Sequence, residues 1–278
     1  MAIKTEWVRY GECSGYLAWP ETARTPLPAV LVIQEVWGVD LHIQDVARRF
    51  AGAGYAALAP DLYAKGGTRS SALSQERIQE TVSFTNRIPP SAWADPKLRE
   101  SELLKLPEPQ QANTRETIAT LFAGMSSGGA RLDQYVDPLR QSVRYLRHEC
   151  SLSLGRKVAS VGFCMGGGLS ALLACHDEEL SGAVMFYGSS PSADLIPGIA
   201  CPMLGFYGSL DARVNATLPG FLEAMKNAGK QFAHHTYEGA FHSFFNDGRQ
   251  SYNVDAARDA FVRTLDFFEQ RLVKGAEV

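Results

Sequence analysis

Along the chain, short uninterrupted apolar runs alternate with stretches whose apolar residues recur every three or four positions. PAVLVIQE (Pro28 to Glu35) is continuous and rich in β-branched residues, the pattern of a strand buried on both faces of a parallel sheet. In HIQDVARRFAGAG, Ile43, Val46, Ala47 and Phe50 fall on one face. This predicts an amphipathic helix that Gly52 and Gly54 can end. YAALAPDLY then reads as a second central strand running into a Pro-Asp turn. Ahead of these, TEWVRYG and CSGYLAWP predict a hairpin around Gly11-Glu12.

The alternation lapses from about Ala64 to Arg131. Prolines stand at 89, 90, 96, 107 and 109, and only SQERIQETVSF and NTRETIATLF carry a helical pattern. Unstructured insertions of this length tend to be functional or mobile, so an inserted cap or lid-like segment is expected, with a solvent-facing elaboration or oligomer contact as the alternative. Regular alternation then resumes. Tyr135, Val136, Leu139, Val143 and Leu146 mark a helix, KVASVGFC a strand and MGGGLSALLAC a helix. SGAVMFYG and CPMLGFYGS are strands, TLPGFLEAMKNAG a helix, KQFAHHTYEG a strand, and VDAARDAFVRTLDFFEQRL a closing helix. Repeated strand–helix units with apolar strands imply one α/β domain over 1–278, with a mostly parallel sheet between two helical layers.

Composition narrows the function class. The 278 residues carry 27 basic and 30 acidic side chains, a net charge of -3, so no basic stripe points to nucleic acid. The opening MAIKTEWVRYGE lacks a signal-peptide run, and no stretch of about 20 apolar residues could span a bilayer. The expectation is a soluble cytoplasmic protein, monomer or homodimer, acting on a small molecule. Cys13, Cys150, Cys164, Cys175 and Cys201 are odd in number and irregularly spaced, which fits neither a disulfide framework nor a zinc site. No metal or other cofactor is expected.

Four of these cysteines read as small buried apolar residues; Cys164 does not. It is the centre of Gly162-Phe163-Cys164-Met165-Gly166, at a predicted strand-to-helix junction. A residue held in a sharp turn there needs small neighbours two positions away. The amides at the start of the following helix favour a thiolate over a thiol. Asp211 follows a strand in YGSLD, and His242 lies in EGAFHSF before the last helix. Nucleophile, acid, histidine is the chain order of α/β-hydrolases. In that arrangement His242 moves protons while Asp211 fixes its tautomer.

The segments VIQEVWGVDLHIQDVARRFAGAGYAALAPDLY, VASVGFCMGGG, YGSLDARV and YEGAFHSF resemble the dienelactone hydrolase (carboxymethylenebutenolidase) family. The resemblance covers most of the chain outside the insertion. It implies a three-layer α/β-hydrolase fold and hydrolysis of an ester or lactone, with a triad of Cys164, Asp211 and His242. It also gives Glu35 a role: the matching glutamate pairs with an arginine at rest and takes the cysteine proton when substrate arrives. The oxyanion hole would be the backbone N–H groups of Val36 and Met165, with Trp37, Asn246 and Arg249 as candidate substrate contacts. Where family members acting on dienelactone carry an arginine four residues after the histidine, this chain has Asn246. Gln79 or Arg77 falls at the other expected arginine, and Arg249, Arg69 or Arg87 are possible substitutes. Two other functions stay open: a short-chain carboxylesterase that does not act on dienelactone, and a non-catalytic hydrolase-like binding or sensor protein.

Overall fold

Each apolar run read as a strand takes its place in one sheet of eight. The structure is a computed structural model and describes residues 2–24, 26–89, 92, 95–123 and 132–274. The strands are β1 (Ile3–Tyr10), β2 (Cys13–Pro20), β3 (Ala29–Ile33), β4 (Ala56–Pro60), β5 (Val158–Phe163), β6 (Ala183–Phe186), β7 (Met203–Gly208) and β8 (Phe232–Tyr237). They lie in the order β1-β2-β4-β3-β5-β6-β7-β8. The hairpin β1–β2 and the β2–β4 pair are antiparallel, and every other neighbour is parallel. Six carboxyl ends therefore open on one edge, from β4 across to β8.

The strand pleat sorts side chains between two cores. Leu31 and Ile33 face a layer formed by the helices α5 (Val136–His148), α6 (Met165–His176) and α7 (Leu218–Asn227), meeting Leu139, Val143, Leu169, Leu173 and Phe221. Val30 and Val32 face the opposite layer, where α1 (Leu41–Gly52) and α8 (Val254–Phe268) bring Ile43, Val46, Phe50, Ala260 and Phe268. Fully burying each such Val, Leu, Ile or Phe contributes about 1.5–3 kcal/mol. The predicted face of α1 is the buried one. Asp40 caps its start by accepting from the Ile43 N–H at 3.0 Å. Gly54, with φ 98°, makes the left-handed stop, while Gly52 stays inside the helix.

In the segment begun at Ala64, the described residues form helices and no strand longer than the isolated Lys65–Thr68 bridge. Both predicted helices are present, as α2 (Gln75–Arg87) and α4 (Gln110–Phe122). A third, α3 (Pro96–Leu103), was not anticipated. Pro96 stands in its first turn, where proline needs no N–H partner. Asp95 caps that turn through Lys97 N–H and Leu98 N–H. The predicted far boundary at Arg131 lies, with 124–130, outside the described residues. One end of this helical group docks on the sheet: Ile78 and Leu121 pack with Val36 and Trp37 in the loop after β3.

The junction of β5 and α6 is the tightest point of the fold. A Cβ on Gly162 would collide with the Gly166 carbonyl, and one on Gly166 with the carbonyls of Ile33 and Gln34. Helix and strands therefore touch backbone to backbone, which only glycine permits. We expect Gly166→Ala to lower unfolding stability by about 3 kcal/mol, the upper range for overpacking a core. Urea denaturation followed by circular dichroism measures the loss; an unchanged midpoint would contradict the packing described.

Candidate active site

Four loops at the carboxyl edge carry the sequence-selected residues. Cys164 ends β5 and starts α6, held at φ 55°. Glu35 follows β3, Asp211 follows β7, and His242 follows β8. Among the described residues, the non-glycine residues with positive φ are Cys164, Tyr187 (φ 39°) and Ser243 (φ 62°). All three lie on this edge. Such backbone costs about 1–3 kcal/mol each and persists where surrounding packing over-determines it. Here the packing is aromatic: Phe244 and Phe245, which directly follow His242 and Ser243, are buried against Phe163 and Phe186.

His242 links two partners. Its Nδ1 lies 2.5 Å from Asp211 Oδ2, and Cys164 is near enough for its charge to act on the ring. Asp211 is further fixed by the Val214 N–H at 3.3 Å. Burial opposes a charge on His242, but the Cys164 thiolate and the Asp211 carboxylate outweigh it and push the pKa up to about 10. Burial likewise opposes the Asp211 charge, and the hydrogen bond and charge of His242 overcome it, holding that carboxyl below its usual range. The histidine value is raised, so its stabilising contribution is full below the ordinary value near 6.5 and fades as pH climbs toward 10.

Glu35 is buried, at 1% exposure, and both carboxylate oxygens are occupied. Oε2 accepts from Asn246 Nδ2 at 2.8 Å and Oε1 from the Tyr187 hydroxyl at 3.3 Å. Burial, reinforced by the Glu35 charge, pushes the Tyr187 phenol far above its usual pKa and keeps it a donor. The Tyr187 ring stands edge-on to His242, with centroids 5.1 Å apart. Tyr187 is thus shared by both halves of the site, and sequence reasoning missed it. Its only sequence signal was its position, at the end of the run AVMFY on the same sheet edge as the other four. Tyr63 was also missed; its hydroxyl donates to the Val36 carbonyl at 2.7 Å and braces the loop after Glu35.

The expected glutamate–arginine pair is not what holds Glu35; Asn246 occupies one side of the carboxylate, and its own Oδ1 accepts from Gly248 N–H at 3.0 Å. Arg249 lies close enough for its charge to act on Glu35, Asp40, Cys164 and Tyr187. Its guanidinium stacks on Trp37, 4.6 Å from the ring. Arg69 is committed to Asp61 at 2.6 Å, Arg77 to Glu116 at 2.5 Å, and Arg87 to its own helix through the Ser83 carbonyl at 3.1 Å. Gln79 lines, with Asn246 and Arg249, a cavity of ≈ 460 Å³ between α1 and α2. Among the described residues, neither Val36 N–H nor Met165 N–H donates to a protein acceptor. No group of three His, Cys, Asp or Glu side chains among them could hold a metal ion, and no described helix is long and apolar enough to cross a membrane.

A mostly parallel sheet with a strand–turn–helix residue, an acid and a histidine in that chain order on its carboxyl edge defines the α/β-hydrolase class. Within it, the chain belongs to the dienelactone hydrolase family, whose profile matches residues 13–272; it is a carboxylic ester hydrolase. A protein of Saccharolobus solfataricus, provisionally named a carboxymethylenebutenolidase, is 33% identical over 256 residues, covering 92% of this chain and 93% of its own. The carboxymethylenebutenolidase of Pseudomonas putida is 28% identical over 247 residues, 88% of this chain and 86% of its own. A crystal structure from Klebsiella pneumoniae, provisionally named a dienelactone hydrolase, superposes with a TM-score of 0.63 at 29% identity. It covers 97% of this chain and 100% of that one.

The couplings at His242 can be read directly. The His242 ring titration, followed by NMR, should move down in Asp211→Asn and further down in Cys164→Ala, because the thiolate is the larger of the two raising influences. A titration unmoved in Cys164→Ala would mean that the thiol and the imidazole do not interact.

Proposed function

We propose that this hydrolase cleaves an ester or lactone through a thioacyl intermediate on Cys164, with Asp211 and His242 completing a triad and Glu35 accepting the thiol proton. The observation that carries the reading is His242, hydrogen-bonded through Nδ1 to the buried Asp211 carboxylate and close enough to Cys164, at the start of α6, for the charge of the sulfur to act on the ring. The Cys164 thiolate attacks the substrate carbonyl carbon, forming the S–C bond and placing the negative charge on oxygen. The free N–H groups of Val36 and Met165 receive that oxyanion; Met165 N–H is among the helix-start amides with no carbonyl a turn behind. Collapse breaks the C–O bond, and the His242 imidazolium protonates the departing oxygen. Water then gives a proton to neutral His242 and its hydroxide to the thioester carbon, and the thiolate leaves. Each proton moved is returned within the cycle.

Substrate charge is the finer question. Asn246 is engaged on both ends of its amide, while Arg69 and Arg87 are tied elsewhere. This favours, as the second reading, a carboxylesterase acting on neutral short-chain esters, with Trp37 and α2 and α4 of the cap-like segment forming the wall. Turnover of p-nitrophenyl acetate beside none of dienelactone distinguishes it.

Two measurements test the chemistry. Cys164→Ala should lose about 1000-fold or more in p-nitrophenyl acetate turnover, the scale for removing a nucleophile; turnover equal to wild type overturns the proposal. Iodoacetamide should label Cys164 ahead of Cys13, Cys150, Cys175 and Cys201, at a rate that changes in Glu35→Gln. A rate identical in that variant removes the glutamate's role and leaves the triad standing.

A further inference from the structure

A buried guanidinium is normally paired. Arg249 is not paired with the carboxylate nearest in its field: its hydrogen bonds go to α2, where Nη1 donates to Thr85 Oγ1 at 2.9 Å and to Asn86 Oδ1 at 2.7 Å. Its Nη2 is buried and has no partner among the described residues. Asn86 does more than accept from it. Its Nδ2 donates to the Gly248 carbonyl at 2.9 Å, and its own carbonyl accepts from Gln250 Nε2 at 2.9 Å. One residue at the end of α2 therefore grips three consecutive positions, 248 to 250, just past the loop that carries His242.

We propose that Asn86 is a positioning residue: its grip on 248–250 holds Arg249 over Trp37 and keeps the guanidinium from closing onto Glu35 as a hydrogen-bonded ion pair. The inference rests on the reading of Glu35 as the acceptor of the thiol proton. A carboxylate locked to a guanidinium is a weaker base than one held by neutral donors, and Glu35 is held by an amide and a phenol. The other charged or titratable groups facing this pair are engaged elsewhere or stand apart from it: Asp40 caps α1, His42 lies 3.7 Å from Asp247, Cys164 stands beside His242, and Tyr187 donates to Glu35. Arg249 is the one cation among them whose side-chain bonds are made to the helical segment. That segment thereby has a second task besides covering the site: it decides where the charge beside Glu35 sits.

The test is a double-mutant cycle with Asn86→Leu and Arg249→Met. In the wild-type background, Asn86→Leu should lower kcat/KM for p-nitrophenyl acetate about tenfold, the effect of one hydrogen bond to a charged group. It should slow iodoacetamide labelling of Cys164 and move the acid limb of the pH–rate profile to lower pH. In the Arg249→Met background the same change should cost less than twofold. An equal loss in both backgrounds, or an unshifted acid limb in Asn86→Leu, overturns the inference. If Asn86→Leu does not fold, Thr85→Val is read by the same criteria. Cys164→Ala separates the two levels: turnover surviving there overturns the thiol mechanism, whereas its loss beside an inert Asn86→Leu overturns the positioning role alone.

Discussion

The close approach of α6 to the ends of β3 and β5 is the constraint on which the rest is built. Gly162 and Gly166 let backbone meet backbone. That contact forces the residue between them out of ordinary helical or extended conformation, to φ 55°. A thiol placed there stands clear of both elements, at the start of a helix whose first amide, Met165 N–H, donates to no described protein acceptor. The same contact aligns β3 with β5 in parallel register, Ile33 beside Gly162, and so delivers Glu35 to the neighbouring loop. One backbone contact thus sets the thiol, one proposed oxyanion donor from each loop, and the carboxylate.

Charge is handled differently on the two sides of Cys164. On the His242 side, the burial of the imidazole is offset by the Asp211 carboxylate on Nδ1 and by the charge of Cys164. On the Glu35 side the nearest hydrogen bonds come from neutral groups, and the positive charge acts through space. A buried ion pair there would be strong but rigid. Neutral donors satisfy the carboxylate oxygens without adding a second buried charge. Tyr187 joins the two sides, with its hydroxyl on Glu35 and its ring against His242.

Most of the sheet was legible because period-2 burial and apolar runs leave a strong local trace: VLVI, AALA and VASVGF are strands by composition alone. The candidate site was legible through turn chemistry and chain order, which do not depend on knowing who touches whom. Tyr187 was not, because a tyrosine ending a buried strand looks like core until its φ of 39° and its partner are seen. Asn246 was read as a missing arginine facing substrate. Its actual partner is Glu35, 211 positions away in the chain, and no local pattern encodes that separation. The helix α3 hid behind prolines because Pro96 acts as a starter rather than a breaker.

The segment after Ala64 was the least legible for a related reason. Its attachment to the sheet is made partly by apolar contacts at Trp37 and partly by side-chain hydrogen bonds from Thr85 and Asn86, which leave no periodic signature. Apolar docking of Ile78 and Leu121 fixes roughly where α2 lies. It is indifferent to the orientation of a guanidinium a few ångströms away. Orientation needs directed bonds, and Asn86 supplies donor and acceptor from one short amide to neighbouring residues of the opposing loop. The division of labour is general: apolar burial sets where a helical segment lies, and directed polar bonds set how its neighbours' side chains are oriented.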